Sequence, residues 1–192
     1  MANSSGADLS TPTAREAQHF RNYAFGGYRR ADGLFDIEAR LVDAKDDDLT
    51  LLSGVRAAGE PVHDMSVRVT IDRALTIRAL EAHTDRMPYP GDCDRIHPDY
   101  ERLVGANLVV GFRQRLHQLM GGLRGCTHVT ELLGYLPTAA VQTLAGLRER
   151  EGDGPDKPFQ LDRCHALDTE GDAVRRYYPK WHRRSAVASG SP

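Results

Sequence analysis

Three side chains that could do chemistry lie within about one and a half helical turns in residues 125–131, GCTHVTE. Cys126 stands where a helix is predicted to begin, and the positive end of the helix dipole favours its thiolate form. His128 and Glu131 are three residues apart and therefore share one helix face. Thiolate, imidazole and carboxylate groups all bind transition metals, so this fragment favours a metal site. The alternative is a buried, inert cysteine beside a surface histidine.

A second fragment, residues 60–65 with the sequence EPVHDM, leads into the most regular predicted strand. His63 comes just before that strand, where side chains project into clefts at the sheet edge. Asp64 could orient an imidazole or act as a base. The alternative is a histidine in a turn, next to an aspartate that bonds its own backbone.

The two other cysteines lie in loop-like segments. Cys93 ends a Pro- and Gly-containing stretch, and Cys164 is followed by His165 in the fragment LDRCHAL. Three cysteines without an export signal do not suit a disulfide framework, and neither loop has CxxC spacing. The cysteines are therefore predicted to be reduced, in a cytoplasmic protein.

Alternating apolar residues predict the sheet that must position these groups. Residues 34–42 and 65–71 have the period of two that is typical of half-buried strands. Asp72, Arg73 and Ala74 can turn the chain into a third alternating run, and residues 49–56 can add a short strand. The first half is thus predicted to be an antiparallel sheet of three to four strands.

The second half has helical periodicity. Helices are predicted over residues 98–104, 108–120 and 127–144, the last of them capped by Thr127 and kinked at Pro137. Strands followed by helices indicate an α+β fold, with three helices packed on one face of the sheet. The predicted organisation is one domain over residues 14–184, between disordered tails at 1–13 and 185–192.

Composition excludes several classes of protein. The 192 residues carry 25 basic and 27 acidic side chains, and this near-neutral balance does not suit a nucleic-acid-binding protein. No apolar run is long enough to span a bilayer, so no membrane association is expected.

The placement of the candidate ligands favours one shared site. His63 precedes a strand, Cys93 follows a hairpin and Cys126 begins a helix, and such element ends usually surround a cleft. We expect His63, Cys93 and Cys126 to hold zinc or iron, with His128 as the fourth ligand. The competing fourth ligands are Cys164 and His165, and the expected proton-transfer groups are Asp64 and Glu131.

Several of these runs together resemble a bacterial family known only as a domain of unknown function. The runs are YRRADGLFDIEA at residues 28–39, PVHDM at 61–65, GCTHVTELL at 125–133 and DRCHAL at 162–167. The resemblance covers about residues 20–182 and implies no activity.

The order of elements is also similar to that of the iron–sulfur scaffold proteins of the NifU-like class. His63, Cys93 and Cys126 stand in the places of the three cysteines of that class. His63 is the departure, since one imidazole and two thiolates suit zinc or mononuclear iron better than a labile cluster.

The sequence therefore predicts metal-assisted hydrolysis or lyase chemistry on a small organic substrate. The alternative is a non-enzymatic scaffold that holds a metal or an iron–sulfur cluster for a partner protein. A structural domain with unligated cysteines is the third possibility.

Overall fold

The computed structural model describes residues 13–150, 157–158 and 160–183, without the side chains of 146–150. Apart from residue 13, both predicted tails lie outside these ranges. The chain forms two compact units, Met1–Leu144 and Ala145–Pro192, and each is described by itself.

The first unit is built on a four-stranded antiparallel sheet, which confirms the predicted α+β class. Its strands are β1 (His19–Arg29), β2 (Phe35–Lys45), β5 (Pro61–Ile71) and β6 (Ile77–Arg86), in the order β1-β2-β5-β6. The short strands β3 (Leu49–Leu51) and β4 (Gly54–Arg56) form a separate hairpin.

One face of the sheet carries the core, and we call it the inner face. Alternate residues of the two central strands point to it, and all of these are buried: Phe35, Ile37, Ala39 and Leu41 of β2, and Met65, Val67, Val69 and Ile71 of β5. Because side chains alternate along a strand, the intervening residues lie on the opposite, outer face.

Two features of the sheet differ from the sequence-based expectation. The basic, aromatic stretch at residues 19–29 forms β1, although its mostly exposed side chains give no clear alternation of burial. The turn between β5 and β6 spans residues 72–76 instead of three residues. It is held by the Asp72 carboxylate, which accepts the N–H groups of Ala74 and Thr76, and Leu75 adopts a φ of +66°.

The helices of the first unit follow the sheet. A 3-10 helix spans His97–Leu103, α1 spans Phe112–Met120 and α2 spans Thr127–Arg150, of which the last six residues belong to the second unit. Helix α1 begins four residues later than predicted, directly after Gly111, whose φ is +66°. Helix α2 begins at the predicted residue and contains Pro137. Its predicted apolar stripe is buried: Val129, Leu132, Leu133, Leu136, Ala140 and Leu144.

The second unit contains α3 (Asp172–Tyr177) between 3-10 helices at His165–Leu167 and Pro179–Trp181. Asp162 organises it with a φ of +60°. Its carboxylate accepts hydrogen bonds from Lys157 and from both the N–H and the hydroxyl of Thr169. The Lys157 bond, with those from Thr169, holds the pKa of Asp162 well below its usual range.

Among the helices that the structure describes, none has the length and apolar character needed to cross a bilayer.

Candidate metal centre

Three potential metal ligands converge at one end of the inner face. One donor atom from each of Asp43, His63 and His128 lies within 4.8 Å of the other two. Two imidazoles and one carboxylate form a donor set that binds zinc or iron in proteins. We call these three residues the Asp–His–His cluster.

The strand periodicity places the first two members. Asp43 is the next inner-face position of β2 after Leu41, and His63 is the inner-face position of β5 just before Met65. Asp43 and His63 are also register partners across the two strands. A register shift follows Asp43, and such bulges often re-aim side chains beside functional sites.

Asp43 is the most constrained member, with 3% of its surface exposed. Its Oδ1 lies 2.9 Å from His63 Nδ1 and also accepts the backbone N–H of His63. Its Oδ2 accepts two N–H bonds from Arg21, at 2.7 and 3.1 Å. Burial alone would raise the pKa of Asp43, but the bonds from His63 and Arg21 outweigh it and lower the pKa. The carboxylate is therefore ionised at neutral pH.

His128 comes from the first turn of α2, and its ring packs against the ring of His63 in a tilted arrangement. The two ring centroids are 3.9 Å apart, with an interplanar angle of 32°. Burial, together with the neighbouring His63 and Arg21, lowers the pKa of His128. It is therefore neutral at physiological pH, which is the form of imidazole that binds metals.

Arg21 links the cluster to Glu131. Its Nη1 donates to Oε2 of Glu131 at 3.1 Å, while the same guanidinium binds Asp43. Arg21 is the register partner of Asp43 on β1, so its position follows from the same inner-face alternation. Tyr23 lies next to this bridge. Burial raises the pKa of Tyr23, and the hydrogen bond from Arg21 opposes this rise. The guanidinium of Arg21 therefore joins the sequence-predicted Glu131 to the Asp–His–His cluster.

Asp64 lies elsewhere. It follows His63 in β5 and so points to the outer face. There Arg40 binds both of its carboxylate oxygens, at 2.7 and 2.5 Å. The structure does not bring this carboxylate to the cluster.

A cavity of about 710 Å³ opens beside the two histidines. All four sequence-predicted ligands line it: His63, Cys93, Cys126 and His128. Both cysteines are free thiols of intermediate burial. Apolar wall residues include Met65, Tyr89 and Ile96, and polar ones include Asp92, Arg95 and Thr127. The cavity has a size that suits a small organic ligand.

A family model matches residues 19–142, a span that includes the sheet and the whole cluster. Its description is "Protein of unknown function (DUF2889)". The chain belongs to this family. The predicted membership of a family of unknown function is thus confirmed.

The other comparisons add no relative. No curated protein and no solved structure matches the chain. The likeness to NifU-like scaffold proteins stays a prediction.

Cys164 and His165, the competing fourth ligands, lie in the second unit. Cys164 is exposed and directly precedes the 3-10 helix that begins at His165. Their part in a metal site stays a prediction.

Sequence reasoning missed Asp43 and Arg21. The predicted strand ended at Val42, although the alternation that places Leu41 inside also places Asp43 inside. A buried carboxylate at the end of an apolar alternation was therefore the available signal. Arg21 had no such signal, because β1 shows no alternating burial.

Tyr100 fixes the start of α2, where Cys126 and His128 lie. Its fully buried hydroxyl accepts the Cys126 N–H at 2.9 Å and lies 3.0 Å from the Cys126 carbonyl oxygen and 2.9 Å from Thr130 Oγ1. Burial raises the pKa of Tyr100 to about 12, so the hydroxyl stays protonated.

Replacing Tyr100 by Phe should lower the free energy of unfolding by about 1–3 kcal/mol, because a buried backbone N–H loses its acceptor. Urea unfolding measures this change. Tyr135→Phe is the control, since the Tyr135 ring is half-exposed, and its effect should be below about 0.5 kcal/mol. Equal unfolding midpoints for both variants would contradict the assigned role of Tyr100.

Proposed function

We propose that Asp43, His63 and His128 hold one divalent transition-metal ion and that the protein is a metal-dependent enzyme. The observation that carries this proposal is the convergence of three donor atoms within 4.8 Å. The low pKa of Asp43 and the lowered pKa of His128 support it, since both groups are then in the form that binds a metal.

Zinc or iron is the proposed metal. Two histidines and one carboxylate are the ligands of many catalytic zinc sites and of mononuclear non-haem iron sites. Both kinds of site keep a coordination position free for substrate or water. Arg21 supports the carboxylate from outside, as residues around metal ligands commonly do.

The adjoining cavity supports catalysis on a small organic substrate. His63 and His128 belong both to the cluster and to the cavity wall, so a ligand in the cavity would contact the metal site. Met65 and Ile96 offer apolar contacts, while Arg95 and Thr127 offer polar ones. When bound, the metal would polarise the substrate, which suits hydrolysis or a lyase reaction.

Glu131 is the proposed proton-transfer group. It lies one helical turn after His128 and shares its helix face. Its carboxylate is about one-third exposed, with a relative side-chain exposure of 35%, so it can exchange protons with water. Arg21 holds it beside the Asp–His–His cluster.

The second candidate function is a non-enzymatic scaffold that passes its metal to a partner protein. The observation in its favour is that Cys93 and Cys126 line the same cavity as the two histidines. Thiolates on that wall could take part in transferring a thiophilic metal. Such a scaffold would bind and release metal without turning over a substrate.

Metal titration tests the proposed ligands. Protein purified without a His-tag is stripped with a chelator and titrated with Zn²⁺ in a calorimeter. Wild type and the Cys93→Ser/Cys126→Ser double variant should each bind one ion with equal affinity. The Co²⁺-loaded protein should lack a thiolate-to-metal absorption band.

Two results would overturn this donor set. A wild-type protein that binds no Zn²⁺ or Fe²⁺ removes the proposal altogether. The second result is loss of the ion in the double cysteine variant together with a thiolate-to-metal band in Co²⁺-loaded wild type. The metal ligands would then include the sequence-predicted Cys93 and Cys126 in place of Asp43.

A further inference from the structure

Strand β1 forms an edge of the sheet with no described neighbour on its outer side. It is 11 residues long and pairs with β2 alone among the described strands. The opposite edge strand, β6, is partly covered, because residues 105–108 bond to it and to the turn before it. These bonds include Ile77 N–H to Ala106 and Gly105 N–H to Ile77. The two edges of the sheet are therefore not equivalent.

Strand β1 has few of the usual devices that prevent edge pairing. Edge strands are normally kept apart by proline, charged side chains (lysine above all), bulges or short length. β1 contains neither proline nor lysine, and its register with β2 runs without a shift from His19 to Arg29. Of its two arginines, Arg21 is engaged by Asp43 and Glu131. Within the described residues, the outward row of backbone groups of β1 has no partner strand.

The outer face of β1 carries two exposed aromatic rings near its ends. Phe20 is 50% exposed and Tyr28 is 54% exposed. They share a face because they are an even number of residues apart. The Tyr28 ring lies along the strand, with its hydroxyl 2.8 Å from where a Cβ of Gly26 would stand. Gly26 thus allows this ring to lie flat on the sheet.

We propose that β1 pairs with β1 of a second copy of this chain, antiparallel and centred on Ala24. In this register Phe20 of each copy lies opposite Tyr28 of the other, and the two-fold axis repeats the contact. Cross-strand aromatic pairs stabilise a sheet, and two-fold symmetry is the commonest arrangement of homo-oligomers. The result is a continuous eight-stranded sheet.

The same register suits the inner face. Arg21 lies opposite Gly27 of the partner copy, over which that copy's Thr143 packs. The guanidinium itself points away from the new strand, toward β2 and α2 of its own copy. Arg21 can therefore keep its bonds to Asp43 and Glu131. Tyr23 lies opposite Phe25 of the other copy, which adds a further aromatic pair. The dimer is thus compatible with the Asp–His–His cluster and does not depend on a metal.

Two double variants test this register by sedimentation velocity and light scattering. In the proposed dimer, position 20 of each copy faces position 28 of the other. The Phe20→Lys/Tyr28→Lys variant therefore puts two positive charges at each of these two contacts. The Phe20→Glu/Tyr28→Lys variant puts one negative and one positive charge at each. Both variants remove the same exposed rings, so a general loss of apolar surface affects them equally. Circular dichroism verifies that both are folded.

Wild type should be a dimer, and so should the Phe20→Glu/Tyr28→Lys variant. The dissociation constant of the lysine pair variant should be at least about tenfold higher than that of the charge-complementary variant, because opposed like charges destabilise paired strands. Wild type that is monomeric at about 100 µM would overturn the proposal, since even a weak specific interface associates there. Equal dissociation constants for the two variants would overturn it too.

Discussion

Replacing His63 or His128 by Ala should lower the affinity for Zn²⁺ at least about 100-fold, since changes even to the partners of metal ligands cost 10–100-fold. Each variant removes one of three donor atoms that lie within 4.8 Å of one another. The rings are partly buried beside the cavity, and water cannot replace an imidazole donor with equal strength. Competition of the stripped protein with a chromophoric chelator measures the change.

His83→Ala is the matched control. His83 is an exposed β6 histidine, paired with Asp85 and lining a different cavity on the outer face. Its loss should leave the zinc affinity unchanged. The assignment fails if His63→Ala and His128→Ala bind Zn²⁺ as tightly as His83→Ala does. The melting temperature provides an independent readout, because Zn²⁺ should raise it in the control and leave it unchanged in His63→Ala and His128→Ala.

Replacing Glu131 by Gln should lower turnover by about 100-fold or more, in line with the usual contribution of a general acid or base. Its carboxylate lies beside the Asp–His–His cluster, to which Arg21 joins it. The amide keeps the shape of the side chain but cannot take up a proton. Zinc content and folding should stay at the wild-type level. Hydrolysis of activated esters such as p-nitrophenyl acetate by zinc-loaded protein offers a first assay.

Asp64→Asn is the control for this prediction. The sequence places Asp64 next to His63, but its side chain is held by Arg40 on the outer face. We therefore expect Asp64→Asn to retain turnover. Full activity of Glu131→Gln on a substrate that wild type converts would remove Glu131 from the mechanism. Metal loss in Glu131→Gln would instead make Glu131 part of the metal's support. A protein that binds zinc and transfers it, with no turnover in either variant or in wild type, would favour the scaffold function.

Local patterns were sufficient to predict most of the fold. In β2 and β5, every second residue is apolar because one face of each strand is buried. The residue types alone therefore predict which face that is. The start of α2 at Thr127 and its buried stripe follow in the same way from helical periodicity. The sequence also indicated that His63 and His128 lie near each other at element ends, together with Cys93 and Cys126.

Only the tertiary structure decided which groups meet. Asp43 and His63 are 20 residues apart in the chain, and they become partners through the register of β2 with β5, which no local pattern specifies. His128 reaches them because α2 packs across the inner face. The side chains of Asp64 and its neighbour His63 point to opposite faces of the sheet, because successive residues of a strand alternate in direction. Side-chain direction and strand register, which are set by long-range packing, therefore made the buried Asp43 a member of the cluster and placed Asp64 outside it.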